Sequence, residues 1–114
     1  MRSSTSNYWT RRTAEYSARD FLVDHGYAVL RVAESHTHEP VGINLIAWNK
    51  DGKTLFICAR SIRRGSIKSD VEALSKLVRL SRYPGSVEYW VRHKAGWRRY
   101  LVDAGGAIPL PVLL

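Results

Sequence analysis

The chain has one cysteine, Cys58, among 114 residues. No disulfide can therefore form within it, which fits a reducing compartment. There is no internal repeat and no low-complexity tract. No apolar run approaches the ~20 residues of a membrane span. Nothing apolar follows Met1-Arg2-Ser3-Ser4-Thr5-Ser6 that could act as a signal sequence. These absences lead to the expectation of a cytoplasmic protein that has no membrane partner. Acidic residues are also scarce, 10 against 18 Lys plus Arg, for a formal net charge of +8. Arg outnumbers Lys heavily, and a guanidinium suits bidentate contact with phosphate. The imbalance points to a polyanionic partner, with nucleic acid (DNA first) ahead of an acidic membrane surface. The plainer reading is that a basic surface only aids solubility.

The chain is 45% apolar, ordinary for a globular protein, and its length fits a single domain over residues 1–114. Residues 1–8 are polar and read as loose. Ala14, Ala18, Phe21 and Leu22 share one stripe at i, i+4, i+7 and i+8, which predicts a helix from about Thr10 to His25 closed by Gly26. Glu15 and Arg19, four apart, sit at the edge of that stripe and are placed to pair. Strands are predicted over Tyr27–Ala33, Ile43–Asn49 and Lys53–Arg60. The turn Lys50-Asp51-Gly52 joins the last two into a hairpin, with Gly52 left-handed. A second helix runs from Ser66 to about Arg82. Ser69-Asp70-Val71-Glu72 has the form of a capping box, and Val71, Leu74, Leu77 and Val78 make the apolar stripe. Two more strands, Val87–Arg92 and Trp97–Val102, flank His93-Lys94-Ala95-Gly96. Residues 107–114, with two prolines, read as an apolar tail that packs on the body or on a second copy. The order is α-β-β-β-α-β-β, an α/β fold.

The first hairpin carries the chemistry. If Lys50-Asp51-Gly52 is the loop, Asn49 faces Lys53 and Asn44 faces Cys58. Side chains alternate along a strand, so Asn44, Ile46 and Trp48 share a face with Phe56, Cys58 and Arg60. An amide, a thiol and a guanidinium thus gather at the open end of the hairpin, beside Arg63 and Arg64 of the following loop.

The stretch Pro40-Val41-Gly42-Ile43-Asn44-Leu45-Ile46-Ala47-Trp48-Asn49-Lys50-Asp51-Gly52, with Leu55-Phe56-Ile57-Cys58-Ala59-Arg60 after it, resembles the core of the PD-(D/E)XK nuclease superfamily. The likeness is to small archaeal Holliday-junction-resolvase-like members and spans about residues 10–82. It implies a three-layer α-β-α, restriction-endonuclease-like fold with a mixed central sheet, and a homodimer to which Ile108, Leu110, Val112 and Leu113 could supply the surface. In that family a helix Glu precedes the hairpin, the second strand begins with Asp, and the third ends in Glu-x-Lys. Here Glu15 matches the helix Glu, but Asn44 stands at the Asp position, Cys58 at the Glu position and Arg60 at the Lys position.

These departures bear on chemistry. Mg²⁺ takes oxygen ligands, usually including carboxylates. Asn44 keeps the shape of Asp without its charge, and Cys58 offers sulfur, which suits Zn²⁺ or Cu⁺. Arg60 stays protonated and cannot act as a general base. Without a divalent ion there is no Lewis acid and no activated water. The expectation is a non-catalytic, cofactor-free nucleic-acid-binding protein with a degenerate active site. Its phosphate contacts are assigned to Arg11, Arg12, Arg60, Arg63, Arg64 and Lys68. Arg92, Lys94, Arg98 and Arg99 make a second basic cluster, interleaved with Trp90, Trp97 and Tyr100.

Two alternatives stay open. One is an endonuclease using Mg²⁺ or Mn²⁺ with relocated ligands, drawn from Glu15, Glu34 and Glu39; His36 and His38 in the same loop are further metal-ligand types. The other is a structural or protein-interaction subunit. For single residues the bland readings are a helix ion pair for Glu15, a strand hydrogen bond for Asn44 and a buried small hydrophobe for Cys58.

Overall fold

The computed structural model describes residues 3–32, 42–61, 67–93 and 96–113, and for 3–12, 93, 112 and 113 it describes the backbone only. The elements are α1 (Ser3–Asp24), β1 (Ala28–Arg31), β2 (Leu45–Trp48), β3 (Thr54–Ser61), α2 (Ile67–Ser81), β4 (Ser86–His93), β5 (Gly96–Asp103) and β6 (Gly106–Leu113). The six strands form one sheet in sequence order. Every neighbouring pair is antiparallel except β3 and β4, which run parallel. A parallel pair needs a crossover, and α2 supplies it.

Strand alternation splits the core in two. On one face Ala14, Ala18 and Leu22 of α1 pack against Leu45, Ala47, Leu55, Ile57, Ala59, Trp90 and Trp97. On the other, Leu74 of α2 packs with Cys58, Val87, Tyr89, Val91 and Val102. The layers are therefore α-β-α around a mixed sheet. Each buried large side chain contributes about 1.5–3 kcal/mol through the surface it removes from water. Among the described residues, no helix is long and apolar enough to cross a membrane.

The first hairpin has the register read from its turn: Leu45 lies opposite Ile57 and Trp48 opposite Thr54. The Asn49 side chain accepts from the amides of Asp51 and Lys53, both at 3.0 Å, and Gly52 takes φ +84°. That conformation is open to glycine at no steric cost. Gly85 is needed for a different reason: a Cβ there would lie 2.5 Å from the carbonyl oxygen of Thr54.

Three expectations change. The first helix begins at Ser3, not near Thr10, so residues 3–8 continue the helix where a loose end was expected. No Gly or Pro interrupts the chain between Ser3 and Asp24, and polar residues can prolong a helix beyond the part that packs. Residues 106–113, expected to include an apolar tail, form a sixth strand, β6, paired with β5. Pro109 and Pro111 are tolerated because β6 is an edge strand, where an amide facing outward has no ladder partner to lose. Finally, Ser69 does not cap α2. The helix is already formed at Ile67, and Asp70 turns inward, 7% exposed.

Candidate nucleic-acid interface

Each of the four positions that carry the family resemblance has its own partners in the fold. Glu15 lies on the α1 side of the sheet, 5% exposed. Its carboxylate accepts from Nε and Nη2 of Arg31 on β1, at 3.2 and 3.0 Å. The partner expected from helical spacing, Arg19, instead pairs with Asp20. Arg31 also lies over the Tyr16 ring, 4.8 Å from its centroid, so the pair is held on two sides.

Asn44 extends the ladder of the hairpin beyond β2. Its amide nitrogen donates to the Ala59 carbonyl at 2.9 Å, and its Oδ1 accepts from the Ala59 amide at 3.0 Å. One side chain thus pairs both backbone groups of a residue with no exposed surface. An amide can do this because it carries a donor and an acceptor; an ionised carboxylate carries acceptors only.

Cys58 is opposite Asn44 in register but lies in the α2-side core, 1% exposed. Burial pushes its thiol up to about 12. Arg60 opposes that rise, and the charges of Asp70 and Glu15 add to it. Arg60, two residues on, approaches Asp70, with Nε 3.7 Å from Oδ2. The hydroxyl of Tyr89 donates to that same carboxylate oxygen. Burial, then the bond to Asp70, raises the Tyr89 phenol further above its ordinary range.

This donor set does not fit a hard divalent ion. Glu15 is the one carboxylate among the four positions, and Arg31 holds it. Both polar atoms of the Asn44 amide are engaged by Ala59, and the thiol of Cys58 is neutral and soft. Among the described residues, no group of three or more His, Cys, Asp or Glu is arranged to hold a metal. Glu34, Glu39, His36 and His38 lie outside the described residues.

The cations are distributed unevenly. Arg60 is the penultimate residue of β3, and Arg92, opposite Ser61, is the penultimate residue of β4, so both arginines sit near where the two parallel strands finish. Lys68 is exposed in the first turn of α2. Arg63 and Arg64, in the segment joining β3 to α2, lie outside the described residues, as do the side chains of Arg11 and Arg12. Within the second cluster, Arg92 and Arg98 are exposed and Lys94 is outside the described residues. Arg92 donates to the Ser17 hydroxyl and lies 5.7 Å from the Trp97 centroid. Arg99 is turned inward, its guanidinium 3.2 Å from the buried Glu88 carboxylate. Glu88 also accepts from the Trp90 indole at 2.9 Å. Trp90 and Trp97 are core residues, 1% and 4% exposed, and present no face to a base.

Sequence reasoning missed Asp70, Tyr89 and Arg31. Asp70 did leave a signal, because it precedes Leu74 by four on the apolar stripe, and an acid there needs a buried partner. Arg31 left none, since its contact with Glu15 depends on how α1 lies over β1.

A mixed sheet with one helix layer on each face and a single parallel joint bridged by a helix is the restriction-endonuclease-like architecture. One similar solved structure is Hjc from Archaeoglobus fulgidus, a Holliday junction resolvase from an archaeal hyperthermophile. It superposes with a TM-score of 0.57 at 18% identity, over 87% of this chain and 86% of that one. At that identity the likeness is one of fold. No family model and no curated protein matches the sequence.

Proposed function

We propose that this protein binds nucleic acid, DNA first, through its arginine-rich face, and does not cleave it. The observation that carries the reading is the engagement of Asn44 by Ala59 together with that of Glu15 by Arg31. The residues at the four nuclease positions serve the scaffold and include a single carboxylate, while the surplus of cations remains. Arg60, Arg63, Arg64 and Lys68, with Arg11 and Arg12 on α1, make the phosphate contacts. Such contacts position a strand without reading its sequence, so binding is salt-dependent and weakly specific. The same reading takes residues 1–114 as one cytoplasmic domain and assigns a second copy, if the chain pairs, to the exposed Ile108 and neighbouring Leu110 on β6.

The test uses labelled duplex, branched and single-stranded DNA and RNA. Gel shift should give affinity that falls steeply with salt. Arg63→Ala and Lys68→Ala should each lower the slope of log K against log salt by about 1. No cleavage should occur with Mg²⁺ or Mn²⁺. Cleavage that disappears in Glu15→Ala would overturn the non-catalytic reading, and affinity indifferent to salt would overturn the phosphate reading.

A further inference from the structure

We propose that the uncovered face of the β1–β2 hairpin binds unpaired bases of a nucleic-acid strand, with Trp48 as the stacking residue. This rests on the nucleic-acid reading above and names the form of polymer it would prefer.

The face follows from alternation. Leu45 and Ala47 are buried under α1, so Ile46 and Trp48 point to the opposite side of the sheet. Val29 and Arg31 of β1 also face α1, which leaves Ala28 and Leu30 beside Trp48 and Ile46 in register. On that side α2 packs closest to β5 and β6, and Ala28, Leu30, Ile46 and Trp48 are not among the residues of the core it forms. The sequence from Ile43 to Trp48 is apolar on both faces apart from Asn44, as in a strand covered on both sides. Here one of the two covers is missing among the described residues. Leu30 is 55% exposed and Trp48 43% exposed as a result.

Charge decides the occupant. Lys50 and Lys53 are exposed in the turn that follows Trp48, and Arg82 is exposed at the end of α2. Arg82 precedes Tyr83, whose ring lies 5.1 Å from that of Phe56, the register partner of Ile46. The apolar strip is thus bordered by cations at the hairpin tip and at the α2 end, against one acid in the turn, Asp51. A second copy docked on this face would set Lys50, Lys53 and Arg82 against the same residues of its partner. A polyanion meets complementary charge instead. An indole on an open sheet surface offers a π-face to any base, while adjacent cations hold the backbone. Paired bases are stacked inside a duplex and do not present that face, so the surface selects unpaired strands.

The test is titration of the intact protein with oligothymidylate of about 15 nucleotides, a length within the usual range for such sites, and with a duplex of equal length. Tryptophan emission of the native protein and of Trp48→Phe, whose difference isolates Trp48 among the four tryptophans, and anisotropy of labelled DNA are both read. Single strands should quench the indole. Trp48→Ala should weaken single-strand binding about tenfold, Trp48→Phe much less, and duplex affinity should stay within about twofold for both. Lys50→Glu with Lys53→Glu, both exposed, tests the border without touching the core. Unchanged single-strand affinity in Trp48→Ala sinks the proposal. Binding of duplex alone sinks it too while sparing the nucleic-acid reading; no binding of either polymer sinks both. A dimer in light scattering that is lost in Trp48→Ala would assign the face to a second copy and overturn the proposal.

Discussion

Asn44→Asp would restore the acid that the family resemblance implies, and the structure gives it a definite cost. In the native chain the amide nitrogen donates to the Ala59 carbonyl and Oδ1 accepts from the Ala59 amide. The aspartate keeps the second bond and loses the first. Its other oxygen then faces a carbonyl at about hydrogen-bond distance, two acceptors with no proton between them. Losing the bond costs about 1 kcal/mol, and leaving the fully buried Ala59 carbonyl unpaired costs about 1 kcal/mol more, at the lower end of the range because Asn44 is half-exposed. The sum, about 2 kcal/mol, corresponds to a Tm lowered by roughly 6–10 °C for a domain of this size. Protonating the carboxyl restores a donor, so the deficit should shrink as pH falls through the carboxylate range. Urea unfolding of both proteins at pH 7 and pH 4, with calorimetry at pH 7, measures it. The substitution should not confer Mn²⁺-dependent cleavage. A variant as stable as the native protein at pH 7 would show that the Asn44 amide is not the structural element described, and one that cuts DNA would overturn the non-catalytic reading.

Two further outcomes follow from the buried groups. Glu15→Gln should cost about 1–3 kcal/mol in urea unfolding, less than a fully buried pair would, because a third of the Arg31 side chain meets solvent; a loss below about 0.5 kcal/mol would mean that the ion pair contributes little. Cys58 titrates near 9.0 when exposed and near 12 in the fold, so the unfolded chain loses its proton first. Stability should therefore decline as pH rises from 9 toward 12, and Cys58→Ala should flatten that part of the profile. The native thiol should also resist alkylation at pH 8 and react only on unfolding; rapid labelling of the folded protein would refute its burial.

Much of the fold was legible because the local signals agree. The Asn49 to Lys53 turn fixes one hairpin register, and that register dictates which of Asn44, Ile46, Trp48, Phe56 and Cys58 share a face. The apolar stripes of both helices are similarly explicit. What escaped lies in two classes. The start of α1 and the strand β6 contradict composition: serine and threonine suggest a loose end, and prolines suggest a tail, whereas strand position alone decides whether a proline is tolerated. The partners of the candidate site escaped because they are tertiary. Nothing in sequence spacing links Glu15 to Arg31 or Asp70 to Tyr89. Asp70 in particular satisfied a local motif, and the core claimed it instead.

The parallel contact between β3 and β4 has a consequence for how the molecule assembles. It divides the sheet into two antiparallel meanders, β1–β3 and β4–β6, each of which can zip through successive hairpins between residues close in sequence. Joining them requires alignment from Leu55 with Ser86 through Ser61 with Arg92, across the whole of α2. Contacts between distant residues incur their loop-closure entropy before returning any stabilisation. We expect the seam to form late and to set the folding rate. Substitutions along it should slow refolding more than equally destabilising ones within either meander.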